Sequence, residues 1–168
     1  MKASIKTLAA VLLALSTSAT AATPEINFTV EAEIPDNAFY AVGTGWEVMP
    51  VRLNWNESAL SLTPRSDLQV KMKNSAGGIK AYLTDSVRIS DLTGAGNINL
   101  DLAVAGKTLG VGPSSAVDIY TSAEAATEKT AAIRITQADT FTQATRPPAG
   151  SYSGQVTMVF DTIAATAP

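Results

Sequence analysis

Strict alternation of apolar and polar residues over short runs is the feature that most constrains how this chain can fold. In residues 26–34, every even-numbered position is apolar and every odd-numbered position is polar. Similar runs recur along the chain between segments rich in glycine, proline and serine, whereas no apolar pattern of helical period follows residue 22. A two-residue period is typical of strands with one buried face. The sequence therefore predicts an all-β domain, a sandwich or a barrel.

Seven further runs are predicted to be strands, and most end near a turn segment such as Ser75–Gly78 or Thr93–Asn97. Residues Ser122–Ala132 could form a helical turn, but they lack an apolar face and are predicted to be a loop. The predicted strands are Val48–Trp55 (with Val51, Leu53 and Trp55 on one face), 68–72, 79–83, 98–104, Ala116–Tyr120, Ala132–Thr136 and Tyr152–Phe160.

Residues 1–21 have the composition of a secretory signal. Two lysines precede the short apolar core Leu8–Leu15, and Ala19-Thr20-Ala21 supplies the small residues that signal peptidase requires. We expect cleavage between Ala21 and Ala22. Residues 22–36 then form an N-terminal extension and residues 37–168 a single domain, in which no segment is apolar enough to span a membrane.

The charged and reactive residues exclude several classes of function. Without residues 1–21, 10 basic residues remain against 15 acidic ones, and no basic cluster suits nucleic acid or an anionic membrane. The chain has no histidine and no cysteine, so the usual acid-base residue, the thiol nucleophile and the commonest zinc ligands are missing. We predict no enzyme, no metal and no cofactor.

Carboxylates and tryptophans leave two weaker alternatives open. A hydrolase could work with two facing acids, but the acids in or beside predicted strands are interpreted as solvating outward faces or loops. Trp46 and Trp55 could form a sugar-stacking platform, but we favour Trp55 in the core and Trp46 over a sheet edge. The acids concerned are Asp85, Asp91, Asp101 and Asp118.

The two ends of the mature chain carry the most regular strands. Residues 26–34 come directly after the signal, and Pro35-Asp36-Asn37 ends the run. At the other end, a proline-glycine turn precedes the last predicted strand, and no further strand is predicted after Phe160. Residues 26–34 could be the first strand of a complete sandwich, or they could serve another subunit.

These features resemble the major pilins of the alternate, or alpha-class, chaperone–usher fimbriae, the group typified by colonisation factor antigen (CFA/I) pili. The resemblance rests on the alternating N-terminal strand, the glycine-bearing stretch Tyr40–Trp55, the strand and turn in Ile98–Gly110, and the C-terminal stretch Ala149–Phe160. The most specific part is the Gly-x-Tyr-x-Gly motif at Gly150, Tyr152 and Gly154. The absence of cysteine also fits this group.

The resemblance implies an immunoglobulin-like β-sandwich that lacks its last strand. A periplasmic chaperone fills the resulting groove first, and at the outer-membrane usher the N-terminal strand of the next identical subunit replaces it, a form of strand addition. The implied donor residues are Ile26, Phe28, Val30, Ala32 and Ile34. The implied acceptor groove and last strand contain Val51, Leu53, Tyr152, Val156, Met158 and Phe160.

The function implied is that of a structural subunit of a bacterial surface fimbria. Such a subunit is exported through the periplasm to the extracellular fimbrium, where it supports adhesion and has a tip adhesin as a further partner. A minor or tip subunit, or a secreted sugar-binding β-sandwich, remains the alternative.

Overall fold

The computed structural model describes residues 38–164, which form twelve strands, one short α-helix and one 3-10 turn. In chain order they are β1 (Phe39–Gly43), β2 (Trp55–Asn56), β3 (Ser61–Leu62), β4 (Arg65–Asn74), β5 (Gly77–Leu83), β6 (Arg88–Asp91), β7 (Asn97–Val104), β8 (Lys107–Thr108), the 3-10 turn (Pro113–Ser115), β9 (Val117–Tyr120), α1 (Ser122–Ala125), β10 (Lys129–Gln137), β11 (Tyr152–Ser153) and β12 (Met158–Ala164).

Two antiparallel sheets contain most of these strands. The larger sheet has the order β1-β4-β10-β7-β6-β11, with β8 also paired to β7, and the smaller sheet has the order β12-β5-β9. The short strands β2 and β3 pair with each other. In the larger sheet, Ala131 of β10 lies opposite Val70 of β4, and Ile135 lies opposite Leu102 of β7. This is the two-sheet arrangement of an immunoglobulin-like sandwich, and the predicted fold class is confirmed.

The alternation decides which side chains enter the core between the sheets. In β4, Leu68, Val70 and Met72 are buried, while Gln69 and Lys71 are exposed. β7 and β10 follow the same pattern. Because the chain has no cysteine, this burial and the strand ladders must stabilise the domain without a disulfide. The largest fully buried apolar side chains are Met72, Ile79, Ile98, Leu102, Val104 and Ile133.

The prediction of a strand at Val48–Trp55 is wrong, because Trp55 is the only one of these eight residues that belongs to a strand. Val48 and Met49 are 81% and 66% exposed. Pro50 has no N–H to donate to a ladder. Val51, Leu53 and Trp55 nevertheless are half buried and pack against the core. Here the alternation indicates which side chains face the core but not membership of a sheet.

The predicted last strand, Tyr152–Phe160, is two strands that belong to different sheets. β11 pairs with β6, with Tyr152 opposite Asp91. β12 begins only at Met158, pairs with β5 and continues to Ala164. Residues 154–157 between them are exposed and have no regular structure. The last strand therefore begins and ends later than predicted.

The predicted loop Ser122–Ala132 contains α1 and the beginning of β10. Thr121 caps the helix: its hydroxyl oxygen accepts from the Glu124 N–H at 3.4 Å, and its own N–H donates to the Glu124 carboxylate at 2.9 Å. This capping box satisfies two N–H groups at the start of the turn, and Ala125 is buried. No helix within residues 38–164 is long and apolar enough to cross a membrane.

Asn74, at the end of β4, joins the two sheets. Its side chain is fully buried. The amide nitrogen donates to the Gly78 carbonyl at 2.8 Å and to the Thr162 hydroxyl at 3.2 Å, and the amide oxygen accepts from the Ala76 N–H at 3.1 Å. One side chain thus holds the turn between β4 and β5 and contacts the last strand.

We expect Asn74→Ala to lower the free energy of unfolding by about 2–4 kcal/mol, because it leaves buried backbone groups without partners. Urea unfolding followed by tryptophan fluorescence measures this change. The exposed Asn54 provides a matched control, since Asn54→Ala should change the free energy by less than about 0.5 kcal/mol. Equal effects of the two substitutions would contradict the role given to Asn74.

Candidate functional site

The last strand, β12, has a ladder partner on one side only among the described residues. Its seven residues pair with β5, from Met158 opposite Leu83 to Ala164 opposite Gly77. The strand order places β12 at the edge of the smaller sheet. An edge strand presents a row of backbone N–H and C=O groups that another strand can use. β12 is therefore a place where a further strand can be added.

The inward-facing side chains of β12 are less buried than their neighbours on β5. Residues opposite each other share one face of the sheet, so Met158 and Phe160 lie on the same face as Leu83 and Ala81. Leu83 and Ala81 are 4% and 0% exposed, whereas Met158 and Phe160 are only half buried. A further strand beside β12 would cover these two side chains.

β1 lies at the edge of the larger sheet, and Asn74 connects one end of it with β12. The opposite edge of the smaller sheet, β9, is held near β8, because the Lys107 ammonium donates to the Asp118 carbonyl. On the β12 side, Asn74 lies opposite Phe39 of β1 and hydrogen-bonds Thr162 of β12. We call the space between these two edges the β1–β12 groove. The half-buried apolar side chains that these two strands pack against the core are Phe39, Ala41, Met158 and Phe160.

A single ion pair lies on the outward face of β12. Asp161 is opposite Lys80 of β5, and its carboxylate lies 3.2 Å from the lysine ammonium. The Thr162 N–H donates to the same carboxylate at 2.7 Å. The Thr162 N–H and then Lys80 lower the pKa of the Asp161 carboxyl below its ordinary value. β12 therefore presents one negative charge outward at neutral pH.

Two glycines let β12 and β9 approach β5 closely. A Cβ on Gly77 would collide with the backbone carbonyl oxygen of Ile163 on β12, and one on Gly78 would lie 2.8 Å from the Tyr120 carbonyl oxygen of β9. The sequence predicts a turn at both glycines, within Ser75–Gly78. They belong to β5, where the absence of a side chain lets the neighbouring backbones pair.

The Gly-x-Tyr-x-Gly motif fastens the segment before β12 to the larger sheet. The Tyr152 hydroxyl donates to the Pro148 carbonyl at 2.8 Å, and its ring lies where a Cβ on Gly96 would be. A Cβ on Gly154 would collide with the Arg88 carbonyl oxygen of β6. Tyr152 and Gly154 of the motif thus allow β11 to pack closely against β6 and the turn that follows it.

The structure brings together only some of the predicted acceptor residues. Met158 and Phe160 lie in the last strand. Tyr152 lies in β11, and Val156 is 41% exposed in the connection between β11 and β12. Val51 and Leu53 pack against the core outside both sheets. Thr162 and Ala164 of β12 were missed because the apolar alternation stops at Phe160. The predicted donor residues and the predicted cleavage site lie outside the described residues.

The two tryptophans are engaged within the chain. The Trp46 indole N–H donates to the Gln69 carbonyl at 2.6 Å. Gln69 comes just before Val70, which lies opposite Gly43, the last residue of β1. Trp46 therefore covers the edge of β4 where β1 ends. Trp55 packs on the Phe141 ring, with centroids 6.2 Å apart, and its N–H donates to the Glu57 carboxylate. Both rings are half buried and pack against the core.

The acidic residues are dispersed over turns and outward faces. Asp91 shapes the turn between β6 and β7: the Gly96 N–H donates to its carboxylate at 3.2 Å and lowers the pKa of that carboxyl. Asp85, Asp101 and Asp118 are exposed. Within residues 38–164, no three acids are close enough together to hold a metal ion.

Comparisons with known proteins bear on the family and the fold of this chain. The profile of the CS1 type fimbrial major subunit family matches residues 25–161. The chain belongs to this family. The solved structure of the CooA pilin subunit from enterotoxigenic Escherichia coli is similar to this pilin, with a TM-score of 0.55 and 15% sequence identity over 74% of this chain and 86% of that chain. No curated protein matches this pilin in sequence.

The family membership confirms the resemblance seen in the sequence. This pilin is a structural fimbrial subunit, and the likeness to CooA shows that its sandwich has the pilin fold. At 15% sequence identity, the similarity of the two structures shows a shared fold.

We expect Gly77→Ala to displace β12 from β5, because the added methyl group meets a backbone oxygen that cannot move away independently. The cost should be about 1–3 kcal/mol of unfolding free energy, typical of overpacking. Hydrogen exchange should show reduced protection of the β12 amides. Gly150→Ala is the control, since nothing lies within 4 Å of a Cβ there. Unchanged protection of β12 in Gly77→Ala would contradict the close approach.

Acid should weaken the attachment of β12 through Asp161. The pKa of this carboxyl is lower in the folded chain than in the unfolded chain, where it is about 3.9. Such a carboxyl stabilises the fold at pH values above its pKa in the unfolded chain. The stabilisation is lost as the pH falls through its pKa in the folded chain. We therefore expect Asp161→Asn to reduce the fall in Tm between about pH 6 and about pH 3. Thermal unfolding at several pH values tests this, and an identical fall in both proteins would contradict it.

Proposed function

We propose that this pilin polymerises head-to-tail by donor-strand exchange, with residues 26–34 of one subunit filling the β1–β12 groove of the next. The proposal rests on a difference in burial between two paired strands. The inward side chains of β5 are buried, whereas those of β12 are half buried. The other edge of β12 has no described partner strand. Residues 26–34 supply what that edge requires, a strand with one continuous apolar face.

The magnitudes favour a tight contact. Burial of Ile26, Phe28, Val30 and Ile34 at about 1.5–3 kcal/mol each contributes about 6–12 kcal/mol. A new ladder adds about 0.5–1.5 kcal/mol per hydrogen bond. The loss of translational and rotational freedom opposes association by about 4–15 kcal/mol. Dissociation must break the whole strand contact at once, so we expect the polymer to resist detergent.

The geometry of such a contact produces a filament. Each subunit offers one strand and one groove at different places, so the interface is heterologous. A heterologous contact builds an open helical assembly unless its rotation closes a ring. A fimbrium is the open assembly.

The route to the surface belongs to the same proposal. Residues 1–21 direct export and are removed between Ala21 and Ala22, a periplasmic chaperone occupies the groove first, and an outer-membrane usher exchanges it for the next subunit. The filament stands outside the cell, carries a tip adhesin and supports adhesion. In this role the pilin needs no catalytic site, and we propose that it is not an enzyme.

We expect Phe28→Asp to abolish polymerisation without unfolding the acceptor domain, because a charge would have to enter an apolar groove. The pilin is expressed with its chaperone and usher, and multimers that survive detergent without boiling are counted on a gel. Chaperone binding should persist, because the groove is intact.

Thr29→Asp is the matched control, since the same charge then lies on the polar face of residues 26–34. It should retain the ladder of multimers. Polymerisation by Phe28→Asp, or by a chain lacking residues 22–34, would show that this strand does not join the subunits.

A further inference from the structure

A pocket with a volume of about 250 Å³ lies outside the β1–β12 groove. It is lined by the turn before β3, by β3 itself, by the end of β10 and by the start of the connection from β10 to β11, and no described residue of β1 or β12 takes part. We call it the Phe141 pocket. Its apolar lining includes Leu60, Pro64 and Phe141, and its hydroxyl-bearing lining consists of Ser61, Thr136 and Thr140.

The connection from β10 to β11, which forms one wall of the pocket, is long and firmly attached. It spans residues 138–151 without a helix or strand. Connections of this length are uncommon in compact domains unless they are disordered or have a function. This one is bonded at several points: the Asn99 N–H donates to the Asp139 carboxylate at 2.6 Å, and the Arg146 guanidinium lies 2.6 Å from the Glu57 carboxylate. An ordered connection of this length favours a functional role.

The Gln137 side chain joins the two walls of the pocket. Its oxygen accepts from the Leu62 N–H of β3 at 3.0 Å, and its nitrogen donates to the Asp139 carbonyl of the connection at 2.6 Å. The turn before β3 is fixed as well, because the Asn56 side-chain oxygen accepts two of its backbone N–H groups, both at 3.0 Å. Leu60 there has a φ of 50°, which residues other than glycine seldom adopt. The pocket is therefore formed by bonds within the chain.

The polar groups of the pocket are neutral hydroxyls with free hydrogen-bonding capacity. The side chains of Ser61, Thr136 and Thr140 have no hydrogen-bond partner among residues 38–164, and each hydroxyl can both donate and accept. Asp139 is the only charged residue among those that line the pocket, and its two carboxylate oxygens already accept from the N–H and the side-chain amide of Asn99. No lysine or arginine lines the pocket to bind an anion.

The apolar part of the lining includes an aromatic ring. Phe141 is half buried, with the Trp55 ring at a centroid distance of 6.2 Å. A ligand that satisfies both parts of the pocket needs an apolar face for Phe141 and several neutral hydroxyl groups for the serine and the threonines. An aliphatic ligand would leave the hydroxyls without partners, and an anion would find no counter-charge.

We propose that the Phe141 pocket binds one neutral pyranose ring, the terminal sugar of a glycan. A pyranose has C–H groups on one face and hydroxyls around its edge, which is the combination that the lining requires. The volume is below the about 300–1,000 Å³ of pockets for drug-sized ligands, so it suits a single ring. This sugar site belongs to every subunit of the fimbria, and many weak sites along one filament bind a glycan-covered surface with high avidity.

Saturation-transfer NMR on purified fimbriae tests the proposal. The probes are the methyl glycosides of glucose, galactose, mannose and fucose, together with N-acetylglucosamine and the anionic sugar N-acetylneuraminic acid. We expect saturation transfer from the fimbriae to the ring C–H protons of at least one neutral sugar, and a weaker transfer to N-acetylneuraminic acid.

Two variants locate the binding in the pocket. Thr140→Val and Ser61→Ala each remove one hydroxyl and should reduce the transfer to the bound sugar about three- to tenfold, the loss expected for one hydrogen bond. Thr130→Val is the matched control, because Thr130 is exposed on β10, its hydroxyl has no partner among residues 38–164, and it lies outside the pocket. Its fimbriae should give the same transfer as the unmodified protein.

The absence of transfer to all of the neutral sugars would overturn the proposal. So would equal transfer in the unmodified protein, Thr140→Val and Ser61→Ala, or an equal loss in Thr130→Val. Stronger transfer to N-acetylneuraminic acid than to every neutral sugar would overturn the assignment of a neutral ligand. Thr140 is exposed and Ser61 is half buried, so we expect both variants to assemble, and either one alone decides the result.

Discussion

A strand in a sandwich is fully paired only when each of its edges has a hydrogen-bonded neighbour, and in the described part of this pilin β12 has that neighbour on the β5 side alone. The missing neighbour also leaves side chains of β12 partly uncovered. Met158 and Phe160 are half buried, although the residues opposite them on β5, Leu83 and Ala81, are buried. The edge proposed to accept a further strand is thus also a place where core-facing side chains are incompletely covered.

Contacts from β4, β5 and the segment before β12 hold β12 in place on its β5 side. Asn74 connects the end of β4 to β5 and β12, and Gly77 lets the β12 backbone approach β5. The Gly-x-Tyr-x-Gly motif fastens the preceding segment to β6 and the adjoining turn. With no cysteine in the chain, these contacts and the core do what a disulfide does in other small exported domains.

The sequence predicted five of the strands well because one physical rule governs them. A strand with one buried face must alternate, and β4, β5, β7, β9 and β10 lie where alternation places them. The rule failed where alternation has another cause. Val51 to Trp55 alternate against the core outside the two sheets. Tyr152 and Met158 keep the same period although they belong to different sheets.

Some missed features had a local signal. Thr121 and Glu124 have the spacing of a capping box, which predicts the helical turn that α1 forms. Other features had none. Asn74 is a buried hydrogen-bonding centre only because β5 and β12 place Gly78 and Thr162 beside it. No pattern within a few residues of Asn74 contains that information, because its partners come from distant parts of the chain.

By itself, the sequence determined the all-β class, the family resemblance and which side chains of the five alternating strands are buried, since these follow from residue type and a two-residue period. The tertiary structure decided which strands are neighbours, where the last strand begins and ends, and that its outer edge has no described partner. Strand pairing is a contact between residues far apart in the chain, and alternation states which face is apolar but not what will cover it.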